Sequence, residues 1–162
     1  MLTEKSIEKI RALENRYPDK RSLVIAALWA VQREGGGNLT EQDLKEVAGV
    51  LDLAPVEVQA VATFYSMYNL IEPYKTGEPA GRYHIQVCRS ISCSLLDSEV
   101  IIEHLEKTLH IKIGETTPDG KFSLTVVECL GSCGTAPMMQ INDDYYESLT
   151  VEKVDEILGR LE

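Results

Sequence analysis

Apolar positions recur every three to four residues through the first half of the chain, and every second residue in parts of the second half. The sequence therefore predicts helices first and a mixed strand and helix unit after them. In SIEKIRALENRY, Ile7, Ile10 and Leu13 share one helical face with Tyr17, and Thr3 or Ser6 is placed to cap that helix. Pro18 interrupts the pattern. KRSLVIAALWAVQRE is then a largely apolar helix, closed by the triple glycine at 35–37, a turn with no phosphate-loop or dinucleotide pattern around it. Thr40 and Asp43 have the spacing of a capping box, with Asp in place of the usual Glu. They open EQDLKEVAGVLDL, where Leu44, Val47, Ala48 and Leu51 fall on one face. Pro55 starts a fourth helix, expected to run through PVEVQAVATFYSMYNL.

The stretch IEPYKTGEPAG breaks both periodicities with two prolines and two glycines. It places a linker at 73–82, between a helical bundle domain at 1–72 and a second domain at 83–162. In that second domain RYHIQVC alternates as a strand, SEVIIEHLEKTLH is helical, and KFSLTVVEC and APMMQIN read as strands. Asn142-Asp143-Asp144 turns into YYESL, and Thr150 caps a last helix, VEKVDEILGRL. The order β-α-β-β-β-α, with IKI at 111–113 a possible addition, predicts a small α/β unit with one crossover, so the fold class is α+β in two domains.

Composition narrows the function. No apolar run approaches the length of a membrane-spanning helix. The opening residues alternate acids and bases, unlike a signal or transit peptide, so a cytoplasmic setting is expected, where stable disulfides are rare. Net charge is −10; residues 1–79 carry 9 bases against 12 acids, and residues 80–162 carry 7 against 14. Both halves repel phosphate backbones. Residues 38–72 have a helix-turn-helix rhythm, but they hold six acids and one base, Lys45. A regulator that binds DNA is disfavoured on charge.

All four cysteines lie in the second domain, as C-x4-C at Cys88 and Cys93 and C-x3-C at Cys129 and Cys133. Both pairs are expected at the same ends of two strands, in facing loops. Redox dithiols favour C-x2-C, and zinc knuckles also favour short spacing. The wider loops favour a larger object such as a [2Fe–2S] rhomb, with zinc the main competitor and a disulfide or buried thiols behind it. His84, His104 and His110 fall outside both loops, so an all-thiolate site is expected. Gly131 and Gly134 would let backbone N–H groups approach the sulfurs, joined by donors at the start of the helix after Cys93.

ATFYSMY at 62–68, CRSISC at 88–93 and CLGSCGTAP at 129–137, with IND beyond, carry a resemblance over nearly the whole chain. The sequence resembles the thioredoxin-like [2Fe–2S] ferredoxin family that supplies the E-type subunit of bacterial NADH:quinone oxidoreductase, respiratory complex I. The resemblance implies a thioredoxin-like second domain in which Cys88, Cys93, Cys129 and Cys133 ligate one [2Fe–2S] cluster. It also implies a partner flavoprotein subunit that carries FMN and binds NADH, further complex I subunits, and attachment to the inner membrane only through them. NADH yields two electrons as hydride, whereas such a cluster takes one, so a flavin on another chain must stand between them. On this reading the chain belongs to an enzyme yet has no catalytic residues of its own. A stand-alone ferredoxin would leave the helical domain unexplained.

Two positions bear on the resemblance. The family usually has Gly four residues after the second cysteine, and here Asp97 stands there, which predicts a backbone that either takes φ > 0, which Asp tolerates, or passes close to the cluster. Pro137 occupies the place where thioredoxin-like folds often carry a cis-proline; since only about 5–6% of X–Pro bonds are cis, that expectation rests on the resemblance.

Overall fold

A computed structural model describes residues 2–65, 67–71 and 80–161, in two compact units, residues 1–79 and 80–162. Most of the expected linker lies outside the described residues.

The first unit is built of α1 (Glu4–Leu13), α2 (Lys20–Glu34), α3 (Glu41–Leu51) and α4 (Pro55–Phe64), with a 3-10 turn at Glu14–Arg16. Local caps set three of the starts. Thr3 accepts from the Ser6 N–H and Asp19 from the Ser22 N–H. The Thr40 hydroxyl accepts from the Asp43 N–H, while Asp43 accepts from the Thr40 N–H at 2.9 Å, which is the expected capping box. Ile10, Leu23, Leu28, Leu44, Val47, Leu51 and Val58 meet in one core.

The fourth helix stops at Phe64, six residues short of the sequence expectation. Its end is set by a residue far away in the chain. The buried Gln32 side chain donates to the Met67 carbonyl at 3.0 Å and accepts from the Asn69 N–H at 2.9 Å. Those bonds fix the chain in a turn and bend at Met67 and Tyr68, and Leu70 then bridges to Leu39. Tyr68 turns into the core and donates its hydroxyl to the Ile25 carbonyl at 2.9 Å. Phe64, Tyr65, Met67 and Tyr68 therefore do not share one helix.

The second unit follows the expected β-α-β-β-β-α order, with the helical crossover in two pieces. β1 (Tyr83–Cys88) leads into a short α5 (Ile91–Leu95) and then α6 (Ser98–Leu109). β2 (Phe122–Val127), β3 (Met139–Ile141), β4 (Asp144–Tyr146) and α7 (Val151–Arg160) complete it. The sheet order is β2-β1-β3-β4, with β1 and β2 parallel and the other pairs antiparallel. Ile85, Val87, Leu124 and Met139 pack with Ile101 and Leu105 of α6 and Val154 and Ile157 of α7. Residues 111–113 form no strand. Glu106 instead accepts from the Ile113 N–H at 3.1 Å and from Lys112 at 3.0 Å, fixing this segment to α6.

Candidate metal centre

Parallel pairing of β1 and β2 brings the chain out of both strands at the same end. Cys88 is the last residue of β1, and Cys129 lies two residues past the end of β2. The register aligns Cys88 with Val127, so the two loops begin side by side. Cys93 sits within α5, where its turn of helix carries it back under β1 into a small apolar cluster with Cys88 and Met138. Cys133 opens a 3-10 turn, Cys133–Thr135.

The four thiols form two unlike pairs. Cys88 and Cys93 are 2% and 1% exposed, whereas Cys129 and Cys133 are exposed and their sulfurs stand 3.8 Å apart. Burial pushes the Cys93 thiol up to about 11, and its hydrogen bond with Cys88 pushes the same way. Cys133 is raised first by Cys129, and the charges of Cys133 on Cys93 and of Cys88 on Cys133 link one pair to the other. Sulfurs packed in this way resist ionising together unless positive charge is placed among them. Among the described residues, no three His, Cys, Asp or Glu side chains converge on a single ion. The chemistry on offer is a soft, all-sulfur donor set arranged as two pairs.

Backbone donors support the sulfurs. Gly131 has φ +83°, a conformation that glycine adopts without strain, and its N–H donates to the Cys129 sulfur at 3.4 Å. The Met138 N–H hydrogen-bonds Cys93 and draws its thiol back down, while the Met138 carbonyl accepts from the Cys88 N–H at 3.2 Å. Met138 follows Pro137, and the Ala136–Pro137 bond is cis, as the resemblance implies. Gly134 lies in the 3-10 turn with open space around its Cα. The helix after Cys93 plays a different part from the one expected of it. Cys93 already lies in α5, and the first-turn N–H groups of Val100 and Ile101 are turned to the Asp97 carbonyl.

Asp97 is the residue between α5 and α6. It adopts φ 63° and ψ 35°, the left-handed conformation predicted for this position. Its carboxylate stands at the N-cap of α6, not in the first turn, and makes no capping hydrogen bond.

A brace on the second cysteine loop leaves no mark in the sequence pattern. The Tyr145 hydroxyl donates to the Leu130 carbonyl at 2.7 Å. Glu147 accepts from the Ser132 hydroxyl and from the Thr135 hydroxyl, the latter at 2.7 Å, and these bonds hold its carboxyl below the usual range. Lys153 donates to the Glu147 carbonyl. The loop that carries Cys129 and Cys133 is thus tied to β4 and the start of α7. No spacing rule picks out Glu147, because it acts on residues 12 and 15 positions earlier.

The histidines stay apart from the cysteines. His84 pairs with the Ser123 hydroxyl at 2.7 Å, and desolvation pushes it down to about 4. His104 contacts Asp155 at 2.6 Å, and His110 ends α6.

A family model described as thioredoxin-like [2Fe–2S] ferredoxin matches residues 10–162. The second E-type subunit of NADH-quinone oxidoreductase from Rhizobium meliloti is 46% identical over 151 residues, covering 93% of this chain and 85% of the relative. The E-type subunit of the same enzyme from Rickettsia felis is 42% identical over 157 residues, covering 96% and 90%. Among solved structures, an NAD+-reducing [NiFe]-hydrogenase matches with a TM-score of 0.67 and 24% identity over 85% of this chain. The chain spans only 22% of that protein, and the likeness concerns the fold.

Proposed function

The chain belongs to the thioredoxin-like [2Fe–2S] ferredoxin family, and from that premise we propose that Cys88, Cys93, Cys129 and Cys133 together bind its one [2Fe–2S] cluster. The carrying observation is the pair of cysteine loops that leave adjacent parallel strands at one end, with Cys88 and Cys93 packed together against Met138 and the Cys129 and Cys133 sulfurs 3.8 Å apart. The protein is an electron-transfer subunit of NADH:quinone oxidoreductase. The bound cluster supplies a reversible one-electron store. This chain's own residues hold it, with Cys88, Cys93 and Met138 excluding water on one side, and aim the Gly131 and Met138 amides at sulfur.

Within that enzyme the cluster stands beside the FMN of a partner flavoprotein subunit that binds NADH, in the cytoplasmic arm of the complex. No helix among the described residues is long and apolar enough to cross a membrane, and attachment to the inner membrane would run through other subunits. The family match takes in the helical unit as well, which favours a subunit over a free-standing ferredoxin.

Iron and acid-labile sulfide analysis of the purified chain is expected to return about two of each, with a visible spectrum and, on reduction, an EPR signal. Stoichiometric zinc without sulfide overturns the assignment. The isolated chain is expected to leave NADH unoxidised with artificial acceptors, and the co-expressed heterodimer with the flavoprotein subunit to oxidise it. NADH turnover by the flavin-free single chain would refute the division of labour.

Asp97→Gly supplies a graded test. Gly fits the left-handed backbone at least as well as Asp, so the fold and the cluster are expected to persist. Reduction adds negative charge near an exposed carboxylate, and removing that carboxylate makes reduction easier. The midpoint potential is expected to rise by about 30 mV, more at low salt than at high. An EPR-monitored redox titration showing an unchanged or lowered potential excludes this electrostatic account.

A further inference from the structure

The loop that carries Cys129 and Cys133 joins β2 to β3, and the chain from the end of β4 onward holds it at several points. Backbone bonds fix its far end: the Ser148 N–H donates to the Thr135 carbonyl at 2.7 Å, and the Leu149 N–H to the Pro137 carbonyl at 2.9 Å. Tyr145 fixes its near end through the Leu130 carbonyl. Cys133 lies between these points, at the start of a single 3-10 turn closed by the Thr135 N–H on the Ser132 carbonyl at 3.2 Å. One such turn is a weak restraint, and its residues are exposed or half-buried. A hydrogen bond with Ser92 reaches the Cys133 thiol but not its backbone.

Glu147 restrains the backbone at that point. One of its atoms, Oε1, accepts from the Ser132 hydroxyl and from the Thr135 hydroxyl, which flank Cys133 and Gly134. The two hydroxyl oxygens lie 2.8 Å apart, so a single acceptor reaches both. Lys153 in turn donates to the Glu147 carbonyl and ties the anchor's own backbone to α7. We infer that Glu147 is a positioning residue for the exposed cysteine pair. It clamps the chain on both sides of Cys133 and holds that sulfur 3.8 Å from the Cys129 sulfur. The clamp is made by the chain itself; its consequence for the cluster rests on the ligand assignment proposed above. A pair held in place beforehand loses less conformational freedom when it closes on a metal, so the clamp slows loss of the cluster.

The test compares Glu147→Gln with Glu147→Ala in the full chain. Gln keeps a carbonyl oxygen that can accept both hydroxyls, whereas Ala accepts neither. With an iron chelator present, the cluster-loaded Ala variant is expected to lose its visible absorption about fivefold faster than the parent. Its EPR g-values on reduction should also move, while the Gln variant keeps both readouts close to the parent's. Phenylarsine oxide supplies a readout free of iron. It bridges two neighbouring thiols, forming two As–S bonds and releasing one water, and on the apo chain it meets the exposed pair, since Cys88 and Cys93 are buried. The adduct should dissociate about fivefold faster from the Ala variant, with Gln again like the parent. The double variant Ser132→Ala, Thr135→Val removes both donors, leaves Glu147 in place, and should reproduce the Ala variant in both assays. Equal behaviour of the parent and both clamp-breaking variants overturns the inference. So does a Gln variant as impaired as Ala, which would assign the effect to charge. Absence of iron from every protein, the parent included, with the arsenical difference intact, would refute the cluster assignment and uphold the clamp.

Discussion

Replacing any one of Cys88, Cys93, Cys129 or Cys133 by alanine is expected to abolish the cluster or leave it too unstable to purify. On the proposed ligation each change removes one of four thiolates and opens a coordination position that the histidines, which lie elsewhere in the unit, do not fill. Iron and sulfide content and visible absorption should fall together in all four variants. The apo proteins should then divide into two classes. Cys88 and Cys93 are buried against Met138, so their truncation leaves a void and should lower the stability of the metal-free second unit by about 1–2 kcal/mol. Cys129 and Cys133 are exposed, and their truncation should leave the metal-free fold within about 0.5 kcal/mol of the parent. Denaturant midpoints of the four apo variants test this split. Full iron and sulfide content in any one variant removes that cysteine from the ligand set.

The parts of this molecule that are legible in its sequence are those fixed by short-range chemistry. The capping box of Thr40 and Asp43 needs only three residues to form, and it appears as expected. The cysteine pairs are legible because a strand followed by a turn of helix, written twice, can bring both loops together only if the strands pair in parallel, which β1 and β2 do. The resemblance adds the cis bond before Pro137, which no local propensity supplies.

The misses have a common physical cause. The apolar period through TFYSMYNL suits a longer helix, but the Gln32 side-chain amide, more than 30 residues back, bonds both the Met67 carbonyl and the Asn69 N–H and ends it at Phe64. The Glu147 brace on Ser132 and Thr135 is equally invisible, because a hydrogen bond between a loop and a distant strand end leaves no period in the sequence. The break between α5 and α6 lies between these cases. Asp97 is legible as a departure from glycine, and its left-handed backbone is what separates the two helices.

Gly81→Ala is expected to destabilise the second unit by about 2–3 kcal/mol, although Gly81 precedes the first strand and touches none of the cysteines. A Cβ at this position would stand 2.7 Å from the Phe122 carbonyl carbon, 2.9 Å from the Ser123 nitrogen and 3.0 Å from the Phe122 nitrogen. All three are backbone atoms of β2, and backbone cannot swing aside as the end of a side chain can. The approach is close because the ladder starts there. The Gly81 N–H donates to the Ser123 hydroxyl at 3.0 Å, the Arg82 N–H to the Gly120 carbonyl at 2.9 Å and the Tyr83 N–H to the Lys121 carbonyl at 2.8 Å. A methyl group must therefore push β1 and β2 apart at the end opposite the cysteine loops. The cluster is expected to assemble but to be lost faster on warming, because the parallel pairing that aligns the two loops is weakened at its origin. Gly159→Ala in α7 is the control within the same unit. Nothing lies within 4 Å of its would-be Cβ, and the helical backbone there should gain a few tenths of a kcal/mol, at most about 1. Denaturant midpoints and the half-life of the visible absorption read both variants; a neutral or stabilising Gly81→Ala would show that β2 yields at this contact.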